Sequence, residues 1–315
     1  MQTLETLKRR ISSAQDLLSV VRTMKTLAAV SIRQYELAVE SLVDYYQTVE
    51  DGLRMAMWNA ESLPRSEAAD GDGHRRTGAV IFGSDQGMCG QFNEQIAGYA
   101  ADILRGEDDS SQTSSRPVIA VGGRVAGRLP ELGLTPDEEL MVAGSSTAIA
   151  ASVHDLLAVM DNWRCTRKVG RILLFYNRRR TASSYQPGHV QLLPIHADVL
   201  SQLRPQRWPS RTLPAFTMDR SVLLSRLIRQ YVFVSLFRAM AESLAGENAS
   251  RIAGMQAAEN NIQDRLTELQ TDYHQQRQTA VTEELLDVVT GFEALKDDEE
   301  ASNVLPAPAK VMPGF

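Results

Sequence analysis

The stretch that decides the architecture is Leu4–Leu53, LETLKRRISSAQDLLSVVRTMKTLAAVSIRQYELAVESLVDYYQTVEDGL. It holds no proline and a single late glycine, Gly52. Apolar residues recur three and four apart through Leu4, Leu7, Ile11, Ala14, Leu18 and Val21. They resume at Ala28, Ile32, Tyr35, Val39, Leu42, Tyr46, Val49 and Leu53, with Lys25 at the one polar step. That spacing keeps one apolar seam on one side of a helix, the signature of a coiled coil. A helix over residues 1–58 would be roughly 80 Å long. No compact domain buries a seam of that length, so a second long helix is required.

The other end of the chain supplies it. Residues 220–295 lack proline, and Leu224, Leu227, Tyr231, Val234, Ala241, Ala245, Ile252, Met255, Ile262, Leu266, Leu269 and Tyr273 follow the same rule. This helix would be roughly 110 Å long. Antiparallel return sets Leu53 near Leu224, Leu42 beside Val234, Leu18 beside Ala258–Glu259 and Leu4 near Tyr273. The turns beyond about His274 then outrun their partner. There the apolar set becomes Val281, Leu285, Val288, Phe292 and Leu295, joined by Leu286 and Val289, so more than one face is apolar. A helix of that kind needs a sleeve around it. Residues 296–315 are acidic and contain proline, which predicts a disordered tail.

Between the two helices lies a different pattern. Residues 59–77 read as a polar linker, and residues 77–202 as an inserted α/β, Rossmann-like domain. TGAVIF and RPVIAVGG read as strands. A third strand is expected at Leu140–Ala143, a helix at Thr147–Met160, and a hairpin of Lys168–Tyr176 with Tyr185–Leu193 around a turn at Asn177–Arg180. Strands alternating with helices imply a largely parallel sheet. Leu203–Pro214, with three prolines, returns the chain to the second helix. The fold class is therefore α/β plus a long antiparallel coiled coil.

Composition excludes several functions. The net charge of −6 argues against general nucleic-acid binding. Cys89 and Cys165 have no metal-ligand spacing around them and form no disulfide framework. No run reaches the ~18 apolar residues of a membrane span, so membrane contact would come through partners. Gly83, Gly87 and Gly90 follow a strand and precede a helix, as in phosphate-cradling loops, but the spacing is not GxGxxG and no GK[ST] follows. Asp85 would oppose a phosphate, and a tight strand-to-helix turn explains the small residues better. No catalytic set, cofactor site or metal cluster stands out, and His154 beside Asp155 reads as a helix-surface pair. Lys8, Arg9, Arg10, Arg22, Lys25 and Arg33 outnumber Glu5 and Asp16 over residues 1–35, whereas all charges from Glu36 to Asp51 are acidic. That basic collar predicts an acidic partner.

Four ordered motifs resemble the gamma subunit of F-type ATP synthases. They are Met24-Lys25-Thr26-Leu27-Ala28-Ala29 in the first helix, Ser84-Asp85-Gln86-Gly87-Met88-Cys89-Gly90 with Asn93 in the turn, Glu247-Asn248-Ala249-Ser250-Arg251-Ile252-Ala253-Gly254-Met255, and Arg277-Gln278 through Thr282-Glu283-Glu284-Leu285 to Gly291. The resemblance covers nearly the whole chain. It implies a rotor without bond chemistry or cofactor of its own, turning inside a ring of three alpha and three beta subunits. It implies contact with an epsilon subunit and a membrane c-ring, at the cytoplasmic face of a bacterial plasma membrane. Arg251, Gln278, Thr282 and Glu284 would form a polar catch on the beta subunits, with Met24, Lys25 and Arg33 along the collar. Asp85 and Cys89 would lie where the inserted domain approaches beta and epsilon. Lys25 at a seam position could instead set helix register, with Glu247 opposite it. Phe292 after Gly291, Val30 and Gln34 around Arg33, and the acidic tail depart from the family pattern and imply a divergent form.

Overall fold

The computed structural model describes residues 3–57, 76–106, 116–179, 185–195, 212 and 215–302. They fall into two compact units, one of residues 22–257 and one joining 1–21 to 258–315. The expected linker up to residue 75, residues 196–202 of the inserted domain and nearly all of the proline-containing segment 203–214 lie outside the described residues.

The N-terminal segment forms α1 (Leu4–Ser41) and α2 (Val43–Met57). It was expected as one helix. The ladder tightens at Leu42, whose N–H donates to the Val39 carbonyl three residues back (3.1 Å), while Ser41 Oγ caps the Ala38 carbonyl (2.8 Å). Every seam position named above is buried or half-buried, and Leu17, Val20, Leu27 and Val30 between them are exposed. The seam therefore follows the 3–4 spacing.

In the larger unit the seam pairs with the long C-terminal helix, called α6 below (Arg220–Ser302). Lys25 Nζ donates to Gln256 Oε1 (2.9 Å), Tyr45 Oη to Gln230 Oε1 (2.8 Å), and the Tyr46 and Tyr231 rings lie 5.9 Å apart. A Cβ on Gly52 would meet Leu227 at 2.9 Å, and Leu53 packs with Leu224 in one cluster. Residue numbers rise on one helix as they fall on the other, so the pairing is antiparallel, in the register expected of Leu53 with Leu224. In the smaller unit, Arg9, Ser13 and Leu17 line one groove with Arg265 and Leu269, and Leu7, Leu18, Leu266 and Leu269 are buried. From residue 281 to 293 every residue is exposed.

Helix α6 continues through residues 296–302, where a disordered tail was expected. Lys, Asp, Glu and Ala are compatible with helix propagation, and the first proline comes only at Pro306. Residues 303–315 lie outside the described residues.

The inserted domain is a five-stranded sheet in the order β3-β2-β1-β4-β5. The strands are β1 (Arg76–Phe82), β2 (Val118–Val121), β3 (Glu138–Leu140), β4 (Val169–Arg179) and β5 (Tyr185–Leu193). Only the β4–β5 pair is antiparallel. Between them come α3 (Phe92–Gly106), α4 (Gly123–Ala126) and α5 (Ile149–Thr166). Strand β3 starts two residues before the expected position. Helix α5 runs past Met160 because Trp163 adds another turn to its buried face. The turn expected at Asn177–Arg180 is a correction: β4 continues to Arg179, pairing Asn177 with Pro187, and Asn177 is fully buried.

Alternation along the strands builds two cores. Val80, Phe82, Ile119, Val121, Ile172 and Leu174 face α5 and residues 232–245 of α6. Ala79, Ile81, Val118, Ala120, Leu173 and Phe175 face α3 and α4. Helix α6 is therefore covered by the sheet as well as by α1. From Leu236 to Ser250 only Arg238 is exposed and only Glu242 half-buried. A simple two-helix seam would leave half of that stretch in solvent.

Candidate functional site: the clasp around the long helix

In doubly wound sheets the ligand crevice opens outside the carboxyl ends of the strands, where the strand order reverses. Here the reversal falls between β1 and β4, since β2 and β3 extend from one side of β1 and β4 lies on the other. The turn leaving β1, residues 83–91, belongs to this crevice.

That turn is organised by its own side chains. The Asn93 carboxamide oxygen accepts from the Ser84 N–H (2.9 Å), and its nitrogen donates to Ser84 Oγ (2.8 Å). Cys89 is buried, with its sulfur 3.5 Å from both Ser84 Oγ and Asn93 Nδ2. Asp85 is engaged by backbone amides. Its Oδ1 accepts from Gly123 N and its Oδ2 from Val142 N, both at 2.8 Å, so one carboxylate ties together three loops at the strand ends. Gly122, at φ 117°, needs the absence of a side chain: a Cβ would lie 2.8 Å from the Ser84 backbone. A Cβ on Gly83 would lie 2.4 Å from Val125. The glycine-rich turn thus serves close packing, as its spacing suggested.

Helix α6 packs against this turn and against β4 and β5. Ser250 Oγ donates to the Cys89 carbonyl (2.5 Å) and lies 3.2 Å from Tyr185 Oη. A Cβ on Gly246 would sit 3.1 Å from the Asn177 carbonyl and 3.6 Å from the Phe92 ring. Asn177 Nδ2 donates to the Phe92 carbonyl (3.2 Å). Beside them Glu247 accepts from Arg251 at 2.5 Å, and Arg251 also donates to Asn248 Oδ1 (3.1 Å). The Glu247 and Arg251 side chains retain only 8% and 13% of their exposure, so this is a desolvated pair. Burial raises the Glu247 carboxyl above the ordinary carboxylate range, Arg251 opposes the rise, and Asp85 adds to it. Burial likewise raises Tyr35 on α1, with Glu247 adding to the rise. Helix α1, helix α6 and the turn therefore meet electrostatically at Glu247.

The residues singled out from the sequence separate into two groups. Asp85, Cys89 and Arg251 converge on the clasp as internal fasteners. Lys25 does not pair with Glu247, which is taken by Arg251; it reaches Gln256 two turns further along α6. Met24 is half-buried, and Arg33 is exposed, within 3.6 Å of Glu36 and 3.7 Å of Glu40 on its own helix. Gln278, Thr282 and Glu284 are exposed, with the Thr282 hydroxyl donating back to the Gln278 carbonyl (2.8 Å). His154 Nδ1 lies 2.7 Å from the Ala150 carbonyl and the ring packs 5.1 Å from Phe233, a helix-surface role. Ser250, Gly246 and Asn177 were not anticipated. Small residues at every fourth position were the available signal, but only a partner backbone gives that signal meaning. Among the described residues no three His, Cys, Asp or Glu side chains group to hold a metal, and no helix is long and apolar enough to cross a membrane.

These features define a class: a coiled-coil protein with an inserted α/β domain whose strand-end turn clasps the long C-terminal helix. The family model described as ATP synthase matches residues 3–295, and the chain belongs to that family. The ATP synthase gamma chain of Sinorhizobium medicae is 28% identical over 308 residues, covering 94% of this chain and all of that one. The gamma chain of Granulibacter bethesdensis is also 28% identical, over 315 residues, with the same coverage. Among solved structures, a chain of the Euglena gracilis mitochondrial ATP synthase (OSCP/F1/c-ring, rotational state 3) superposes with a TM-score of 0.63 at 15% identity. It covers 98% of this chain and 99% of its own. A chain of the Tetrahymena thermophila central stalk and c-ring gives 0.51 at 19% identity, covering 76% and 99%. At these identities the structures establish the fold.

Proposed function

We infer that this chain is the gamma, central-stalk subunit of an F-type ATP synthase, a rotor that couples ion-driven turning of a membrane ring to the conformational cycle of catalytic subunits. The observation that carries the reading is the end of α6. Residues 281–293 are exposed on all sides, yet they include Val281, Leu285, Leu286, Val288, Val289 and Phe292, at 49% to 71% exposure. An isolated helix with that surface calls for an apolar sleeve. A ring of three alpha and three beta subunits is the partner this reading supplies. The full-length match to gamma chains supports it.

The chain contributes differential contact and no bond chemistry of its own. An asymmetric shaft that touches one catalytic subunit differently at each angle makes nucleotide affinity a function of rotation. In this reading Gln278, Thr282 and Glu284 meet beta-subunit loops, because they are exposed beyond the paired seam. Met24, Lys25 and Arg33 lie along the collar. Arg251 acts there only if its pair with Glu247 opens. Asp85 and Cys89 stiffen the turn that faces beta and epsilon. The c-ring and epsilon bind the α/β domain, and the assembly lies peripherally at the cytoplasmic face of a bacterial plasma membrane.

The test is co-assembly. Full-length chain mixed with alpha and beta subunits should give a complex whose ATP hydrolysis turns a probe on the α/β domain, while the purified chain alone hydrolyses none. Truncation after Lys296 should preserve this, and truncation after Tyr273 should abolish coupled turning. Equal behaviour of the two truncations would refute the role given to the exposed helix end.

A further inference from the structure

We propose that the Gly246–Ser250–Gly254 face of α6, clasped by the β1–α3 turn and by β4, is the joint through which turning force passes between the α/β domain and the long helix. The inference rests on the rotor reading. Its physical ground is that the clasp brings backbone of the domain directly against the helix. The Gly246 Cβ position lies 3.1 Å from the Asn177 carbonyl, and the Gly254 position 3.4 Å from the Met88 carbonyl. Between them Ser250 Oγ holds the Cys89 carbonyl at 2.5 Å, and the Gly90 Cβ position is 3.7 Å from the same Oγ.

These three positions are four residues apart and therefore stack along one face, over about 12 Å of helix. A contact made through long side chains yields by rotamer change, whereas backbone against backbone has no side-chain torsion to yield. The domain side is equally firm. The turn is braced at Ser84 by Asn93 and at Asp85 by the Gly123 and Val142 amides. Asn177 is held in β4 and bonded to the Phe92 carbonyl. Around the remaining circumference, Leu236–Ser250 is packed almost without exposure. Force applied to the domain thus reaches the helix without passing through a soft element. Gly246 and Gly254 are positioning residues for coupling, and their lack of a side chain permits the contact.

The test uses the whole complex, held by its catalytic ring and stalled with a non-hydrolysable nucleotide. A probe goes on Cys165, which is exposed on α5 while Cys89 is buried. The angular variance of the probe reports the torsional compliance between domain and helix. Gly246→Val and Gly254→Val overpack the clasp and should raise the variance by about twofold or more. ATP hydrolysis should persist while ions moved per ATP fall. Gly98→Ala, on α3 with nothing within 4 Å of its Cβ position, lies outside the clasp and should stay near wild type in both readings. Unchanged variance in assembled Gly246→Val and Gly254→Val complexes would overturn the joint, as would hydrolysis and ion movement falling together at constant ratio. If the valine variants do not assemble, Gly246→Ala places its Cβ 3.1 Å from the Asn177 carbonyl, and its variance decides in the same way. Failure of the rotor reading would look different, because the wild-type chain would then give no turning probe at all.

Discussion

Removing the Asp85 carboxylate should loosen the α/β domain by an amount the geometry allows to be worked out. Its two oxygens accept from the Gly123 and Val142 amides at 2.8 Å each. Hydrogen bonds to a charged group are worth about 1.5–3 kcal/mol each. Asp85 is half-buried, so water can partly replace it, and the lower end of that range applies. Asp85→Ala should therefore cost about 3 kcal/mol. Asp85→Asn keeps one acceptor but loses the charge and turns an amide group toward a backbone N–H, costing about 2 kcal/mol. Urea unfolding of the full chain measures the sum. Amide hydrogen exchange localises it, since protection at Gly123 and Val142 should drop by about tenfold or more if each loses about 1.5 kcal/mol, while the β4–β5 ladder changes less. A loss below about 0.5 kcal/mol, or unaltered exchange at those two amides, would refute the view that Asp85 is a structural fastener.

Three further outcomes are expected. Glu247 has its carboxyl raised in the folded state, chiefly by burial, so the folded chain binds the proton more tightly than the unfolded one. Its contribution is fully present below the ordinary carboxylate pKa and declines as pH rises through the raised value. Glu247→Gln should flatten that part of the stability-versus-pH curve, and an identical slope in wild type and variant would contradict it. Leu53, fully buried against Leu224, should cost about 3 kcal/mol when cut back to alanine, read by urea unfolding; a cost under about 1 kcal/mol would mean the two helices are not tightly packed there. Gln278, Thr282 and Glu284 changed together to alanine should leave helix content unchanged by circular dichroism, because all three are exposed on α6, while turnover of the assembled complex falls. Normal turnover would make them solvated helix surface.

Periodicity alone determined a great deal here. A seam repeated every three and four residues at both ends of the chain needs a second long helix to bury it, the inserted domain makes the return antiparallel, and Leu53 meets Leu224 as that reading expects. Apolar strands bounded by glycine and proline likewise marked the sheet, and an apolar helix end longer than its partner marked the exposed segment 281–293. What spacing could not decide was the third side of α6. Gly246, Ser250 and Gly254 fall inside the helix read over residues 220–295, and their spacing says nothing of the Asn177, Met88 and Cys89 carbonyls that pack against them. Charge partners were equally hidden. Arg251 took Glu247, leaving Lys25 to Gln256, and Asp85 took two backbone amides far away in sequence. Local patterns specify which faces are apolar. The identity of the group that covers a polar atom depends on which distant segments the sheet brings within about 3 Å, and only the folded chain settles that.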